Sequence, residues 1–179
     1  MKRIWPLCWA GILLLAGCGK PVAAPPPPVD AGAHASAMAS ADDITEAQPK
    51  LQTIKLWLGP EQVEAEVAVT LQQIRTGMMF RTNMAENESM LFVMRPHRAG
   101  FWMKNCTVPL SVAYINPDGV IREIHDLQPQ NTNPVVAASD DIQFALETPQ
   151  GWYQRHNIRE GMTIRTERGS LLDTFRLRP

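Results

Sequence analysis

From position 51 onward the apolar residues fall on every second position, in short runs cut by turn residues. That is the spacing of β-strands, whose successive side chains point to opposite faces. Ile54, Leu56 and Leu58 alternate with Thr53, Lys55 and Trp57, and Gly59-Pro60 marks a turn. Val63, Ala65, Val67 and Val69 then alternate with Glu64, Glu66 and Ala68, so the two segments read as a hairpin. Residues 90–94 form a compact apolar strand, and residues 101–103 resume extended chain. Residues 110–115 are apolar on both faces, as a central strand is. Asn116-Pro117-Asp118-Gly119 is a turn, and residues 120–127 return as its hairpin partner. Ile142, Phe144 and Leu146 alternate with Gln143, Ala145 and Glu147, and residues 162–167 supply a last strand.

One segment departs from this period. Thr70-Leu71-Gln72-Gln73 fits a capping box, with Leu71, Ile74 and Met78 on one helical face. Two turns ending near Met78 or Met79 are expected. Seven or eight short strands with one short α-helix predict a mainly β fold, a single small sandwich, jelly-roll-like or barrel domain over residues 51–179. The tail from Gly169 is left open between packing on the domain and hanging free.

The first fifty residues lack any such period. Met1-Lys2-Arg3 is a positive n-region, and residues 7–16 form an apolar run too short to span a bilayer. The run ends in Leu15-Ala16-Gly17-Cys18, which resembles the bacterial lipobox. The expectation is a lipoprotein signal peptide over 1–17, with Cys18 lipidated and acyl chains holding the chain to a membrane. Gly19 after that cysteine favours the outer membrane, facing the periplasm, in a Gram-negative cell. Residues 18–50 carry the lipidated cysteine and then a Pro/Ala-rich tether. Its proline run 25–28 and Ala/Ser stretch offer no face to bury. As a flexible coil the tether would span roughly 30 Å.

The 17 basic and 18 acidic residues nearly cancel, and Lys2 and Arg3 go with the leader, leaving 15 against 18. No basic stripe is there to replace phosphate counterions, so nucleic acid is not an expected partner. Of the three cysteines, Cys8 leaves with the leader and Cys18 takes lipid. Cys106 is then a lone thiol, and no internal disulfide forms.

Four segments in order are similar to the DUF192 family, also called UPF0127. They are Thr-Leu-Gln-Gln-Ile-Arg-Thr-Gly-Met-Met-Phe-Arg at 70–81, Met-Leu-Phe-Val at 90–93, Phe-Trp-Met-Lys-Asn-Cys-Thr-Val-Pro-Leu at 101–110, and Ala-Leu-Glu at 145–147 with Gly151. The Phe-Trp-Met-Lys-Asn block before Pro-Leu is the most specific. The resemblance implies a mainly β, jelly-roll-like domain, often secreted or lipid-anchored, and no established activity. Ser111 stands where the family often has Asp, and Cys106 where Thr is usual.

Candidate chemistry centres on Trp102, Lys104 and Asn105, with Arg81 and Glu147 as possible neighbours. An aromatic wall, a point charge, an amide and a guanidinium fork together suit a small polar ligand. The structural alternative pairs Lys104 or Arg81 with Glu147 and uses Asn105 to bond backbone before Pro109. Whether the chain is an enzyme stays open: a small hydrolase or transferase would use Arg81, Lys104 and Glu147. Cys106 as a nucleophile would need His97, His125 or His156 as its base, and none stands at a telling spacing. A third class is a Cu(I) or redox module, using Cys106 and His97 with Met78, Met79, Met84, Met90, Met94 and Met103. No zinc spacing, phosphate loop or serine elbow is present, so no cofactor or resident metal is assigned.

Overall fold

The computed structural model describes residues 44–175. The leader, Cys18 and most of the tether therefore lie outside the described residues. Strand β1 (Thr53–Leu58) returns through the Gly59-Pro60 turn as antiparallel β2 (Glu61–Ala68), with Leu56 opposite Val63. Leu56, Leu58, Val63 and Ala65 are buried, as the alternation predicts. Glu66, on the alternating polar face, is buried as well.

Helix α1 (Leu71–Thr76) opens on the expected capping box. The Gln73 amide donates to Thr70 Oγ1 at 3.2 Å, and the Thr70 amide donates to Gln73 Oε1 at 3.0 Å. The helix ends sooner than its apolar face suggests, because Gly77 takes a positive φ of 46° and turns the chain away. With α1 as the crossover, β3 (Glu88–His97) runs parallel to β2, Val67 beside Leu91. After it come β4 (Gly100–Phe101), β5 (Leu110–Ile115), β6 (Ile121–Leu127), β7 (Val135–Val136) and β8 (Ile142–Pro149). Helix α2 (Trp152–Arg155), β9 (Ile164–Thr166), β10 (Gly169–Ser170) and α3 (Leu171–Thr174) complete the described chain.

The main sheet has the order β10-β9-β1-β2-β3-β8-β5-β6. Its ends meet. Val120 bridges Thr163, the Ile121 amide donates to Met162 O at 2.9 Å, and the Ile164 amide donates to Gly119 O at 2.8 Å. The mainly β domain is thus a barrel joined across residues 119–121 and 161–164, while the rest of β6 pairs only with β5. Each barrel strand sends apolar side chains inward: Leu56, Val63, Leu91, Leu146, Ala113, Ile121 and Ile164 belong to one buried cluster. Trp152, Tyr153 and Leu171 join that cluster, so α2 and α3 pack on the barrel. Three short helices stand where one was expected, since single-turn helices are too short to show a 3.6-residue period. Residues 169–175 of the tail pack, with Leu171 buried and Phe175 against the barrel core.

The outward faces of β3, β8 and β5 are also apolar. They form a second buried cluster, in which Met90, Phe92, Val112, Tyr114 and Ala145 meet side chains from the covering loops. Residues 44–50, expected in the tether, contribute here too: Gln48 Nε2 donates to Gly77 O at 2.9 Å and to Gln73 O at 3.2 Å, satisfying carbonyls at the end of α1.

The barrel seam gives a test. Gly119 has φ +80°, and a Cβ there would sit 3.1 Å from Ile164 O, the partner strand's backbone. G119A is expected to cost about 1 kcal/mol or more in urea unfolding. Hydrogen exchange should rise first at the amides of Ile121, Gly161 and Ile164. Unchanged exchange at those three amides would contradict closure at this position.

Candidate functional site

Strand β8 lies between β3 and β5, so both its faces are covered and residues 142–148 are all buried. Its inward residues Phe144 and Leu146 fill the barrel. The alternation therefore turns Glu147 to the outer face, beside Met90 of β3 and Val112 of β5. The sequence reading gave Glu147 a polar face. The structure instead roofs that face over, leaving Glu147 only 4% exposed. Its Oε2 is fully buried and has no hydrogen-bond partner among the described residues. Burial alone pushes the Glu147 carboxyl up to about 8.

Glu147 lines a cavity of about 470 Å³. Ile74 of α1, Phe92 of β3 and Phe101 of β4 give it apolar walls. Met78, Met79, Met94, Met103 and Cys106 add sulfur to the lining. Arg75, Thr76, His97, Trp102 and Lys104 supply its other polar groups. Trp102 is 41% exposed, and Lys104 Nζ stands 5.8 Å from the centroid of its ring, a cation–π pair on the lining.

The roof is pinned from two sides. The Phe80 amide donates to Asn105 O at 2.7 Å, joining the turn after α1 to the segment after β4. The Met103 amide donates to Asn131 O at 2.8 Å, and the Gln130 amide donates to Cys106 O at 3.0 Å. Phe80 and Asn105 both hold a positive φ, 60° and 55°, which costs little for Asn and more for Phe. Tyr114 OH donates to Val135 O at 2.5 Å and fixes β7 over the same face.

Of the residues singled out from sequence, Trp102, Lys104 and Glu147 come together on this cavity. Arg81 and Asn105 are not among its lining residues. Asn105 serves through its backbone, as the partner of Phe80. Arg81 makes a two-pronged pair with Glu66, Nη1 to Oε1 at 2.5 Å and Nη2 to Oε2 at 2.7 Å. Glu66 also accepts from the Leu51 amide at 2.7 Å. Burial pushes the Glu66 carboxyl upward, but the Arg81 fork and the Leu51 amide outweigh it and hold it below the usual carboxylate range. The expected pairing of Arg81 with Glu147 is not what occurs. A hydrolase or transferase built on Arg81, Lys104 and Glu147 has lost its guanidinium to β2.

Cys106 is buried, its Sγ donating weakly to Val108 O at 3.7 Å. Burial, helped by the charge of Glu147, pushes the thiol up to about 12. The histidines that would activate it bond elsewhere. His97 Nδ1 meets Arg95 O, His125 meets Glu123, and His156 lies between Glu61 and Glu86. No histidine hydrogen-bonds Cys106 among the described residues, although His97 lines the same cavity. Sequence reasoning missed Phe101 and named His97 only as a base or soft metal ligand, because their approach to the cavity depends on how β4 and the bulged end of β3 are paired.

A family profile described as an uncharacterized ACR matches residues 54–166. A solved structure from Sinorhizobium meliloti 1021, provisionally named a transcription regulator, is 26% identical with a TM-score of 0.64. The match covers 67% of this chain and 98% of that one. A protein of unknown function from Novosphingobium aromaticivorans DSM 12444 is 27% identical with a TM-score of 0.60, covering 70% of this chain and 96% of its own. No curated protein matches the chain.

The pH dependence of stability isolates Glu147. Its folded value of about 8 lies above the ordinary 4.5, so between those values the folded chain keeps a proton that the unfolded chain releases. Its contribution is fully present below about pH 4.5 and is lost as pH rises through about 8. Glu66, Glu86, Glu88 and Glu123 are shifted the opposite way and act on the acid side. Cys106, Tyr114 and Tyr153 face Glu147 and are all pushed upward, so they stay neutral in this window. Urea unfolding free energy should fall by a few kcal/mol between pH 5 and 8, and E147Q should remove that component. Equal slopes in both chains would mean that Glu147 ionises normally.

Proposed function

Because this chain belongs to the uncharacterized DUF192 family, its matched core spanning residues 54–166, we propose its function from the cavity over β8. The protein is a small-ligand binding module of the cell envelope, held at a membrane by lipid on Cys18. One observation carries the binding reading: Glu147 Oε2 is buried without a hydrogen-bond partner among the described residues, on the wall of a ligand-sized cavity. An unsatisfied buried carboxyl costs about 1–3 kcal/mol or more, and an apolar side chain in its place would avoid that cost. A ligand that brings a donor or a positive charge to Glu147 supplies the missing partner. Trp102 and Lys104, on the same lining, are groups such a ligand meets.

Membrane attachment is supported by the ordered leader signals and the tether composition. Nucleic acid is left out, since a chain of net charge −1 offers no basic stripe. The regulator name given to the Sinorhizobium relative is not carried over for that reason.

Hexylamine and hexanol serve as probes for the cavity at pH 7, followed by the methyl signals of Met78, Met94 and Met103 in the full chain. Hexylamine should shift those signals, and E147M should weaken it by roughly tenfold while leaving hexanol nearly unchanged. If neither compound moves the cavity methyls, the cavity is not a ligand site. For the anchor, labelled palmitate should enter the chain in cells and fail to enter C18S. Equal labelling of both would place the lipid elsewhere.

A further inference from the structure

The two buried clusters of this domain differ in one respect that packing does not require. The barrel interior is filled by Leu, Ile, Val, Ala, Phe, Trp and Tyr, with no buried Met or Cys. The outer cluster holds Met78, Met90, Met94, Met103 and Cys106, all buried. Four of those five line the cavity, and Met79 joins them there. The sulfurs come from three separate stretches of chain: 78–79 after α1, 94 on β3, and 103–106 after β4. Their place on one cavity lining is a product of the fold and not of one sequence run. Flexible methionine fills irregular gaps well, but it specifies a core less firmly than branched residues do. The interior shows that this chain builds cores from branched and aromatic residues.

Building on the reading of the cavity as a binding site, the geometry points to a soft monovalent metal ion, Cu(I), held by the thioethers of Met78, Met79, Met94 and Met103 with Cys106 beside them. Thioether and thiol sulfur are soft donors and select Cu(I) over harder ions. Among the described residues no three His, Cys, Asp or Glu gather as metal ligands, so zinc, calcium and magnesium are not served here. Thioethers are neutral, and a cation buried among them needs a counter-charge. Glu147 stands on the same cavity wall as the carboxyl that lacks a partner. His97 also lines the cavity, and its Nδ1 lies 2.7 Å from Arg95 O. Among the described residues it makes no gathered set of metal ligands with Cys106 and Glu147, so the thioethers carry the ion.

The test uses the full chain, purified without oxygen, and two probes: Ag(I) as a redox-inert stand-in, and Cu(I) presented in competition with a coloured chelator. Ag(I) should bind once per chain and shift the methyl signals of Met78, Met79, Met94 and Met103. Met162 packs against the barrel interior and serves as the unmoved control. The M94L/M103L double variant keeps side-chain volume and should lose roughly a hundredfold in Cu(I) affinity. Should that variant unfold, the Ag(I) shifts in the unaltered chain decide alone. Cavity methyls that stay still under Ag(I), or shift no more than Met162, overturn the proposal, as does unchanged affinity in a folded double variant. A chain that answers hexylamine but not Ag(I) keeps the cavity as a ligand site and loses only the metal. Ag(I) binding without any response to hexylamine gives the reverse.

Discussion

The architecture depends on covering the outer side of β3, β8 and β5. A closed barrel satisfies its own interior, and in most small barrels the outer faces meet water. Here Met90, Phe92, Val112, Tyr114 and Ala145 point outward and would expose a broad apolar patch. Helix α1, the 98–109 segment and the 128–137 segment supply the cover, each fixed by named backbone bonds. The cavity is what remains where that cover does not meet the sheet. A site on a rigid three-strand floor with a loop roof unites a fixed anchor, Glu147, with walls that adjust.

Two buried carboxylates on the same barrel show what this cover does and does not provide. Glu66 receives the Arg81 fork and the Leu51 amide, and its charge is kept. Removing Arg81 would strand that charge, which is why such a pair reads as structural. Glu147 is more deeply enclosed and receives nothing at Oε2. The same chain therefore knows how to pair a buried acid and leaves one unpaired, at the one place where a cavity opens beside it. Folding stability would be served by Met or Leu at 147, so the carboxyl is best explained by something that arrives from outside.

Much of the fold was legible because it is local. The capping box at Thr70, the Asn116–Gly119 turn and the alternation in β1 and β2 need only neighbours in sequence to be read. Barrel closure was not legible, since it rests on residues 119–121 meeting 161–164 across the molecule. The site divided along the same line. Trp102 and Lys104 were found from their shared segment, and Glu147 as a possible neighbour from the family-like Ala-Leu-Glu stretch at 145–147. The pairing of Arg81 with Glu66 was not legible, because Glu66 reads as one more solvent-facing residue in an alternating strand. Nothing within β2 signals that a turn 15 residues later will bury it.

Strain supports the same division between frame and site. Phe80 adopts a left-handed φ that β-carbon crowding disfavours, and it does so while its amide holds Asn105. Asn105 takes that conformation at low cost, and Gly77 takes its own at none. The turn therefore pays conformational energy at a single residue, directly beside Met78 and Met79 and directly opposite the segment that carries Trp102 to Cys106. A loop that only needed to cover apolar strands could have used glycine at 80. Holding the sulfur-bearing turn in register with residues 103–106 is what the Phe80–Asn105 contact achieves, and it keeps the two halves of the roof at a fixed spacing over Glu147.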